Sequence, residues 1–272
     1  MSNIFSGKKG VAEDTVEEDF ISSGGVLETD LYEAVIKTAY LSKSGSSDAR
    51  AMNLILDVQG REVRQQIWMT NGKGDVTYKD KKTGKERNLP GYSQVTSLCL
   101  LVAGKEVGDM DSEEVTVKIY DYDAKKELPQ AVDCFVELHE ETVNIALQRQ
   151  TVDKTKKDDS TGKYEPTGET RDQNEIVKFF AADQVVTISE VAEFIKGLGG
   201  NFNDEVDNGN ILKAISQMSD EHGNYADIWV EKNKGRTYDK SKGKASGGKS
   251  FNGNSSGGGE AAPAKKTSLF DD

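Results

Sequence analysis

The sequence of 272 residues predicts a mainly β protein with helical additions. Several segments alternate apolar with polar residues, as expected for strands that bury one face. Clusters of Gly, Asn, Asp and Ser separate these segments, and a few stretches space their apolar residues at helical intervals instead. Only 35% of the residues are apolar, so part of the chain should lie outside the folded core.

The first predicted elements are a strand over residues 31–41 and a tight hairpin over residues 51–70, with Gln59-Gly60 at its turn. Apolar residues alternate along both strands of the hairpin and should face the core. These residues are Met52, Leu54, Leu56, Val63, Ile67 and Met69.

The opposite face of the second hairpin strand carries a cation, an amide and a large aromatic ring, in Arg64, Gln66 and Trp68. Such a face suits nucleic acid, since aromatic rings stack on bases and cations neutralise phosphates. The alternative is an ordinary half-buried strand in which Trp68 packs under a loop, because Trp is usually well buried. The sequence leaves these two interpretations open.

A Gly-rich and Lys-rich loop follows over residues 71–87 and is long enough to be functional. Its cations suit phosphate contacts, although a run of lysines is also what an ordinary solvated loop contains. With one aromatic residue beyond the loop, the residues predicted here to bind DNA are Tyr78, Lys79, Lys81, Lys82, Lys85, Arg87 and Tyr92.

Beyond the loop, Ser93 should cap a short helix that stops at Gly104. Strands are predicted over residues 115–122, 143–152 and 176–180, and a polar hairpin tip over residues 153–171. Further helices are predicted over residues 132–139, 189–196, 211–218 and 225–232. The last of these should present Tyr225, Ile228 and Trp229 on one face.

The charge is unevenly distributed along a chain whose formal net charge is −12. Residues 11–30 hold seven carboxylates and no Lys or Arg, whereas residues 64–91 hold seven cations against three carboxylates, and residues 232–249 hold seven against one. Basic segments inside an acidic chain can form a local groove for phosphate while the remainder repels other polyanions. The net charge alone therefore does not exclude a nucleic-acid partner.

Several other classes are disfavoured by the sequence. No apolar run approaches the roughly 20 residues needed to cross a bilayer, so no membrane contact is expected. Cys99 and Cys134 lack metal-ligand spacing and are expected to be buried thiols, so neither a metal nor another cofactor is predicted. No phosphate-loop or nucleophile-turn motif occurs, and neither His139 nor His222 has a neighbouring Ser or Cys to activate. We therefore expect a protein that is not an enzyme.

The predicted order of elements, with five or six strands and one helix between the third and the fourth, is that of an OB-fold-like five-stranded barrel with long protruding hairpin loops. The sequence resembles the single-stranded DNA-binding proteins encoded by bacteriophages. The segments that carry the resemblance are Leu31-Tyr32-Glu33-Ala34-Val35-Ile36-Lys37, Arg64-Gln65-Gln66-Ile67-Trp68-Met69-Thr70-Asn71, Leu89-Pro90-Gly91-Tyr92, Tyr120-Asp121-Tyr122-Asp123-Ala124-Lys125-Lys126-Glu127 and Trp229-Val230-Glu231-Lys232-Asn233-Lys234-Gly235.

The resemblance implies an OB-fold replication protein that coats single-stranded DNA during phage DNA replication, recombination or repair, in the cytoplasm of the infected bacterial host. It also implies a mobile acidic tail that contacts a phage DNA polymerase, a helicase or other replication proteins. The residues expected to form this partner contact are Leu269, Phe270, Asp271 and Asp272. Homo-oligomerisation is left open, and the alternative function is that of a β-rich structural or assembly protein of a phage.

These expectations divide the chain into three parts. Residues 1–28 form an acidic flexible leader, and residues 29–232 form the DNA-binding domain with helical C-terminal additions. Residues 233–272 form a flexible linker rich in Gly, Ser and Lys that ends in a short, disordered acidic tail.

Overall fold

The computed structural model of the chain describes residues 25–121, 124–158, 164–219 and 221–241. Its strands are β1 (Asp30–Lys43), β2 (Arg50–Val58), β3 (Arg61–Trp68), β4 (Thr77–Lys79), β5 (Glu86–Asn88), β6 (Glu113–Asp121), β7 (Lys126–Cys134), β8 (Thr142–Lys157), β9 (Tyr164–Phe180) and β10 (Thr237–Asp239). Its helices are α1 (Pro90–Val102), α2 (Ile188–Gly197), α3 (Phe202–Asp207), α4 (Ile211–Gln217) and α5 (Tyr225–Asn233). The protein is therefore mainly β with helical additions, as predicted.

Eight strands form one large sheet, and β4 pairs with β5 in a separate two-stranded sheet. Strand β1 organises the large sheet because its first half pairs with β8 and its second half with β2. Strand β3 continues the sheet beyond β2, β9 pairs with β8, and β7 joins β1 and carries β6. All of these pairs are antiparallel, whereas the short β10 runs parallel to β8.

The pairings of the described residues do not close the large sheet into a barrel, because no strand ladder joins β3 to β9. Side chains bridge this gap instead. The Ile176 N–H of β9 donates a hydrogen bond of 3.2 Å to Gln65 Oε1 of β3. The chain before β1 also crosses here, since the Asn174 side chain both accepts from Leu27 N and donates to Leu27 O at 2.8 Å.

The hairpin of β2 and β3 confirms the prediction for residues 51–70. Its two-residue turn holds Gln59 at φ 54° and Gly60 at φ 76°, the left-handed conformations that a tight hairpin turn requires. The apolar residues that alternate along both strands are buried, at 7% exposure or less. They pack with α1 and with Phe179 of β9 in the main core.

Helix α1 begins four residues earlier than predicted, so Ser93 is not its N-cap. The N-cap is Leu89, and Pro90 occupies the first helical position, where its missing N–H costs no hydrogen bond. The predicted stop is confirmed, since Gly104 adopts φ 69° directly after the helix.

Between residues 126 and 175 one prediction is wrong and one is confirmed. Residues 132–139 contain the end of β7 and a 3₁₀ turn over Val136–Leu138, not an α-helix. The polar hairpin predicted over residues 153–171 is confirmed in its described part, as an exposed extension of the ladder of β8 with β9 in which Lys157 pairs with Tyr164. Exposed polar residues occupy both faces of this ladder, so its strands show no apolar alternation in the sequence.

The helices predicted over residues 189–196, 211–218 and 225–232 are confirmed as α2, α4 and α5, but the burial of α5 differs from its predicted pattern. In α5 only Ala226 and Trp229 are buried, whereas Tyr225 and Ile228 are 42% and 39% exposed, so these three predicted residues do not share a buried face. Strand β10 keeps the chain in the large sheet as far as Asp239, beyond residue 232.

The buried thiols of Cys99 and Cys134 are confirmed, and burial raises the pKa of Cys99 to about 12. None of the helices in the described part of the chain is long and apolar enough to cross a membrane.

Candidate nucleic-acid interface

The face of β3 that points away from the core carries the predicted row of Arg64, Gln66 and Trp68, and we call this side of β1, β2 and β3 the outer face. Val63 and Ile67 alternate with the row and are 7% and 5% exposed. The Trp68 side chain is 40% exposed, which leaves its ring accessible from solvent. This exposure favours a surface role for Trp68 over the core role that the sequence left open.

The backbone of Trp68 is fixed by the start of α1. A Cβ atom at Gly91 would lie 2.0 Å from the Trp68 carbonyl oxygen and 3.2 Å from Ile67 Cγ2, so only glycine allows this approach. Met69 N–H also donates to Arg50 O at 2.9 Å. The Trp68 ring therefore projects from a backbone held by both β2 and α1.

The Arg64 guanidinium is engaged by two carboxylates. Its Nε lies 2.5 Å from Glu62 Oε1, on the same strand, and its Nη2 lies 2.7 Å from Glu127 Oε1, on β7. These hydrogen bonds to Glu127 and Glu62 raise the pKa of Arg64. Arg64 thus binds anions, and the anions that it binds in this structure are two carboxylates of the protein itself.

The amide of Gln66 joins a polar row across the outer face. Gln66 Nε2 donates to Asn53 Oδ1 at 3.0 Å, and Asn53 Nδ2 donates to Ser42 Oγ at 2.7 Å. The row links β3, β2 and β1 and keeps these polar side chains on the outer face.

A second hairpin, formed by β6 and β7 and called here the arm (residues 113–134), reaches back over the outer face. At one end Cys134 pairs with Tyr40 of β1, and at the other Glu127 contacts Arg64 of β3. Consistent with this path, Tyr40 and Asn53 on the outer face are half-buried, whereas Arg64 and Trp68 are exposed.

The arm brings an aromatic residue toward the outer face that the predicted site did not include. Tyr120 is the cross-strand partner of Glu127, and directly opposed residues of an antiparallel pair share a face. The Tyr120 side chain is 42% exposed. Its sequence signal was the segment Tyr120-Asp121-Tyr122, but only the tertiary contact of Glu127 with Arg64 places it near β3.

The predicted loop after β3 contains the second sheet, and we call residues 77–88, which include β4 and β5, the basic hairpin. Tyr78, 43% exposed, is the cross-strand partner of Arg87. Five cations face two carboxylates over these residues, a net charge of +3. The exposed residues that carry this charge are Lys79, Lys81, Lys82, Lys85 and Arg87.

Asp80 shapes the turn of the basic hairpin. Its carboxylate accepts from the N–H groups of Thr83 at 3.0 Å and Lys82 at 2.7 Å, and these bonds lower the pKa of Asp80. It also lies 3.4 Å from Arg87 Nε. In the part of the chain that the structure describes, the four lysines of the hairpin form no ion pair, so their charges remain available to an anion.

The basic hairpin rises from the end of the outer face that holds Trp68. Its base is closed by the hydrogen bond of Leu89 N–H to Val76 O at 2.8 Å, and Gly91, two residues later, packs on Trp68. The structure therefore places the base of the basic hairpin next to the backbone of Trp68. Tyr92, in contrast, is half-buried and packs against the core.

Neither histidine has an adjacent Ser in the sequence, but the structure places Ser219 Oγ 2.9 Å from His222 Nδ1. The same Nδ1 accepts from the Ser219 N–H at 3.0 Å, and His222 N–H donates to Ser219 O at 2.9 Å. These bonds close a local turn, and the ring packs edge-on against Phe194. The contact is accounted for by the turn.

The remaining candidate features are metal ligands and the predicted partner contact at the C-terminal end of the sequence. Among the described residues, no three His, Cys, Asp or Glu side chains converge as a metal site would require. The predicted partner residues Leu269, Phe270, Asp271 and Asp272, like residues 1–24 of the acidic leader, lie outside the described residues.

The sequence was compared with protein families and with curated proteins. No family model matches the chain, and a search of curated proteins finds no significant similarity.

Proposed function

We propose that this chain is a sequence-nonspecific single-stranded DNA-binding protein that coats and protects single strands during phage DNA replication, recombination or repair. The observation that carries the proposal is the exposed Trp68 ring on a backbone that packs against Gly91, close to the base of the basic hairpin and its exposed lysines. An aromatic ring that stacks on bases and cations that neutralise phosphates are the two components of such a site.

An OB-type barrel is the fold that we propose for residues 29–232. Its support is the arrangement of five strands, in which β1 lies between β2 and β8, β3 follows β2, and β9 follows β8. Helix α1 lies between the third and fourth of these strands, and the Gln65 side chain connects β3 to β9. OB-folds bind oligonucleotides on the face of their second and third strands, which here would be β2 and β3.

Single strands fit this surface better than duplex. The flat faces of bases are covered by stacking inside a duplex, so a ring on the surface can stack only on bases that are unpaired or displaced. Trp68 is such a ring, and the basic hairpin beside it offers phosphate contacts.

The absence of sequence preference follows from the same chemistry. Stacking and phosphate neutralisation tolerate every base, whereas sequence readout requires polar groups directed at base edges. On the outer face the Gln66 amide is already bonded to Asn53.

The tail and the cellular setting are part of the proposal. Leu269 and Phe270 beside two aspartates would form a short hook for a phage DNA polymerase, a helicase or another replication protein. The protein would act without a cofactor in the cytoplasm of the infected bacterial host. A phage single-stranded DNA-binding protein is the class that this combination supports.

A fluorescence titration with oligo-dT tests the proposal. Binding should quench Trp emission, and added salt should reverse the quench because phosphate contacts release counterions. Trp229 is buried at 7% exposure, so Trp68→Phe should remove most of the quench while the variant still binds in a mobility-shift assay. Duplex of equal length should compete weakly. If neither quench nor shift occurs at low salt, the proposed function is wrong and a structural phage protein becomes the better interpretation.

A further inference from the structure

We propose that Glu127 is an intramolecular competitor of DNA, which occupies the anion position at Arg64 until a phosphate displaces it. This inference rests on the proposed function. It names a residue that limits affinity and that the predicted binding residues did not include.

The geometry that carries the inference is the pair of ion contacts at Arg64. Glu62 and Arg64 are two residues apart on β3, so their contact at 2.5 Å is local. Glu127 comes from the arm, 63 residues away, and its contact at 2.7 Å joins two separate hairpins. Arg64 is therefore a point at which the arm is joined to β3.

Carboxylate and phosphate compete for the same group in such a contact. A guanidinium presents its N–H donors in a planar fork, which binds either anion with similar hydrogen bonds. With Nε on Glu62 and Nη2 on Glu127, two of its donor positions are occupied. A phosphate that passes along the outer face can take the N–H that Glu127 holds only if Glu127 leaves it.

The position of Glu127 makes this competition specific to the proposed binding surface. Arg64 lies in the exposed row with Trp68, and Glu127 faces that row together with Tyr120. When Glu127 leaves Arg64, the arm loses the ion pair that joins it to β3. Strand entry and release of this end of the arm would therefore be coupled.

The contact is weak enough to be displaced. The side chains of Arg64 and Glu127 are 45% and 43% exposed, and ion pairs at such exposure are screened by solvent. Removing the competitor should thus tighten DNA binding by only about three- to five-fold at low salt, the upper end for a surface pair.

The test compares E127Q with E113Q. Both substitutions remove one negative charge from the arm, but Glu113 lies at the opposite end, where it pairs with Cys134. Oligo-dT affinity at low salt should rise about three- to five-fold for E127Q and less than about two-fold for E113Q. The difference should shrink as salt screens the pair. Thermal unfolding of both variants should match the parent because both side chains are exposed.

A variant lacking the guanidinium makes the test decisive. In an R64Q background, E127Q should no longer tighten binding, since the competition needs Arg64. Equal gains for E127Q and E113Q, or an E127Q gain that persists with R64Q, would show a general charge effect and overturn the inference. If the parent protein binds oligo-dT and E127Q has no effect, only the inference fails. If the parent does not bind at all, the proposed function fails with it.

Discussion

Gly91 and Trp68 are in contact through their backbones: a Cβ atom at residue 91 would lie 2.0 Å from the Trp68 carbonyl oxygen. The first turn of α1 therefore sits directly on the end of β3. This contact connects the core helix to the strand that carries the exposed Trp68 ring. The position of the ring therefore depends on residue 91 having no side chain.

Gly91→Ala should therefore destabilise the protein and displace Trp68. Helix propensity alone would favour Ala by about 1 kcal/mol. The clash with backbone atoms should outweigh this gain and cost about 2 kcal/mol or more of unfolding free energy. Chemical denaturation measures the change. Gly108→Ala is the control, because its added Cβ would meet nothing within 4 Å. Equal stability of the two variants would contradict the close approach.

Trp68→Ala should weaken oligo-dT binding while leaving the fold intact. Loss of one stacking ring costs about 1 to 3 kcal/mol of binding free energy. The side chain is 40% exposed, so we expect little change in thermal stability. Trp229→Ala should instead lower the thermal stability, because Trp229 is buried beside Phe180. Fluorescence anisotropy with labelled oligo-dT, together with thermal melts, separates these effects. A Trp68→Ala variant that unfolds or binds normally would show that the ring belongs to the structure and not to binding.

Replacing Lys79, Lys81 and Lys82 by Ala should lower affinity and also reduce its salt dependence. Each phosphate contact that is lost should change the slope of log K against log salt by ~0.7 on single strands, so three contacts would change it by roughly 2. The matched control replaces Lys154, Lys156 and Lys213, which lie on β8 and α4 and carry the same charge. If both triple variants change the slope equally, the basic hairpin makes no specific contact with DNA.

Much of the fold could be predicted from local pattern. The alternation from Met52 to Ile67 and the Gln59-Gly60 turn specify the β2–β3 hairpin, since burial of one face and a left-handed turn leave few alternatives. Pattern failed where strands lack a buried face. Strand β7 contains Pro129 and exposed polar residues, and the β8–β9 ladder is polar on both sides beyond residue 153.

The candidate site could be predicted in part for the same reason. Arg64, Gln66 and Trp68 share a face because strand residues alternate, and the lysines of the basic hairpin follow closely in the chain. The contact of Arg64 with Glu127 could not be predicted, because it depends on where the arm lies and not on any local spacing. Tertiary structure thus adds both Tyr120 and the competing carboxylate to the site.

Glu190 links two helices and should make their packing sensitive to acid. As N3 residue of α2 it accepts at Oε2 from Thr187 N at 2.8 Å, while its Oε1 accepts from Asn224 N at 2.9 Å and Tyr225 N at 2.8 Å, at the start of α5. Burial opposes the charge, but these hydrogen bonds outweigh it and hold the pKa of Glu190 below its ordinary value of 4.5.

The sign of the pH dependence follows from this lowered pKa. The unfolded chain binds a proton at Glu190 at a higher pH than the folded protein does, so the carboxylate stabilises the fold above its ordinary pKa. That contribution is lost as pH falls from 4.5 through the lower pKa of the folded state. Glu190→Gln should cost about 1–2 kcal/mol at neutral pH, because N–H donors lose a charged acceptor, and the cost should shrink in acid.

Denaturation of the parent and Glu190→Gln proteins at neutral and acidic pH measures this effect. Glu193→Gln is the control on the same helix, since Glu193 is exposed and contacts only Lys196, at 3.6 Å, among the ion pairs of the described chain. This control should change stability by less than about 0.5 kcal/mol at every pH. A Glu190→Gln cost that stays constant from neutral pH into acid would show that the carboxylate contributes through packing and not through its charge.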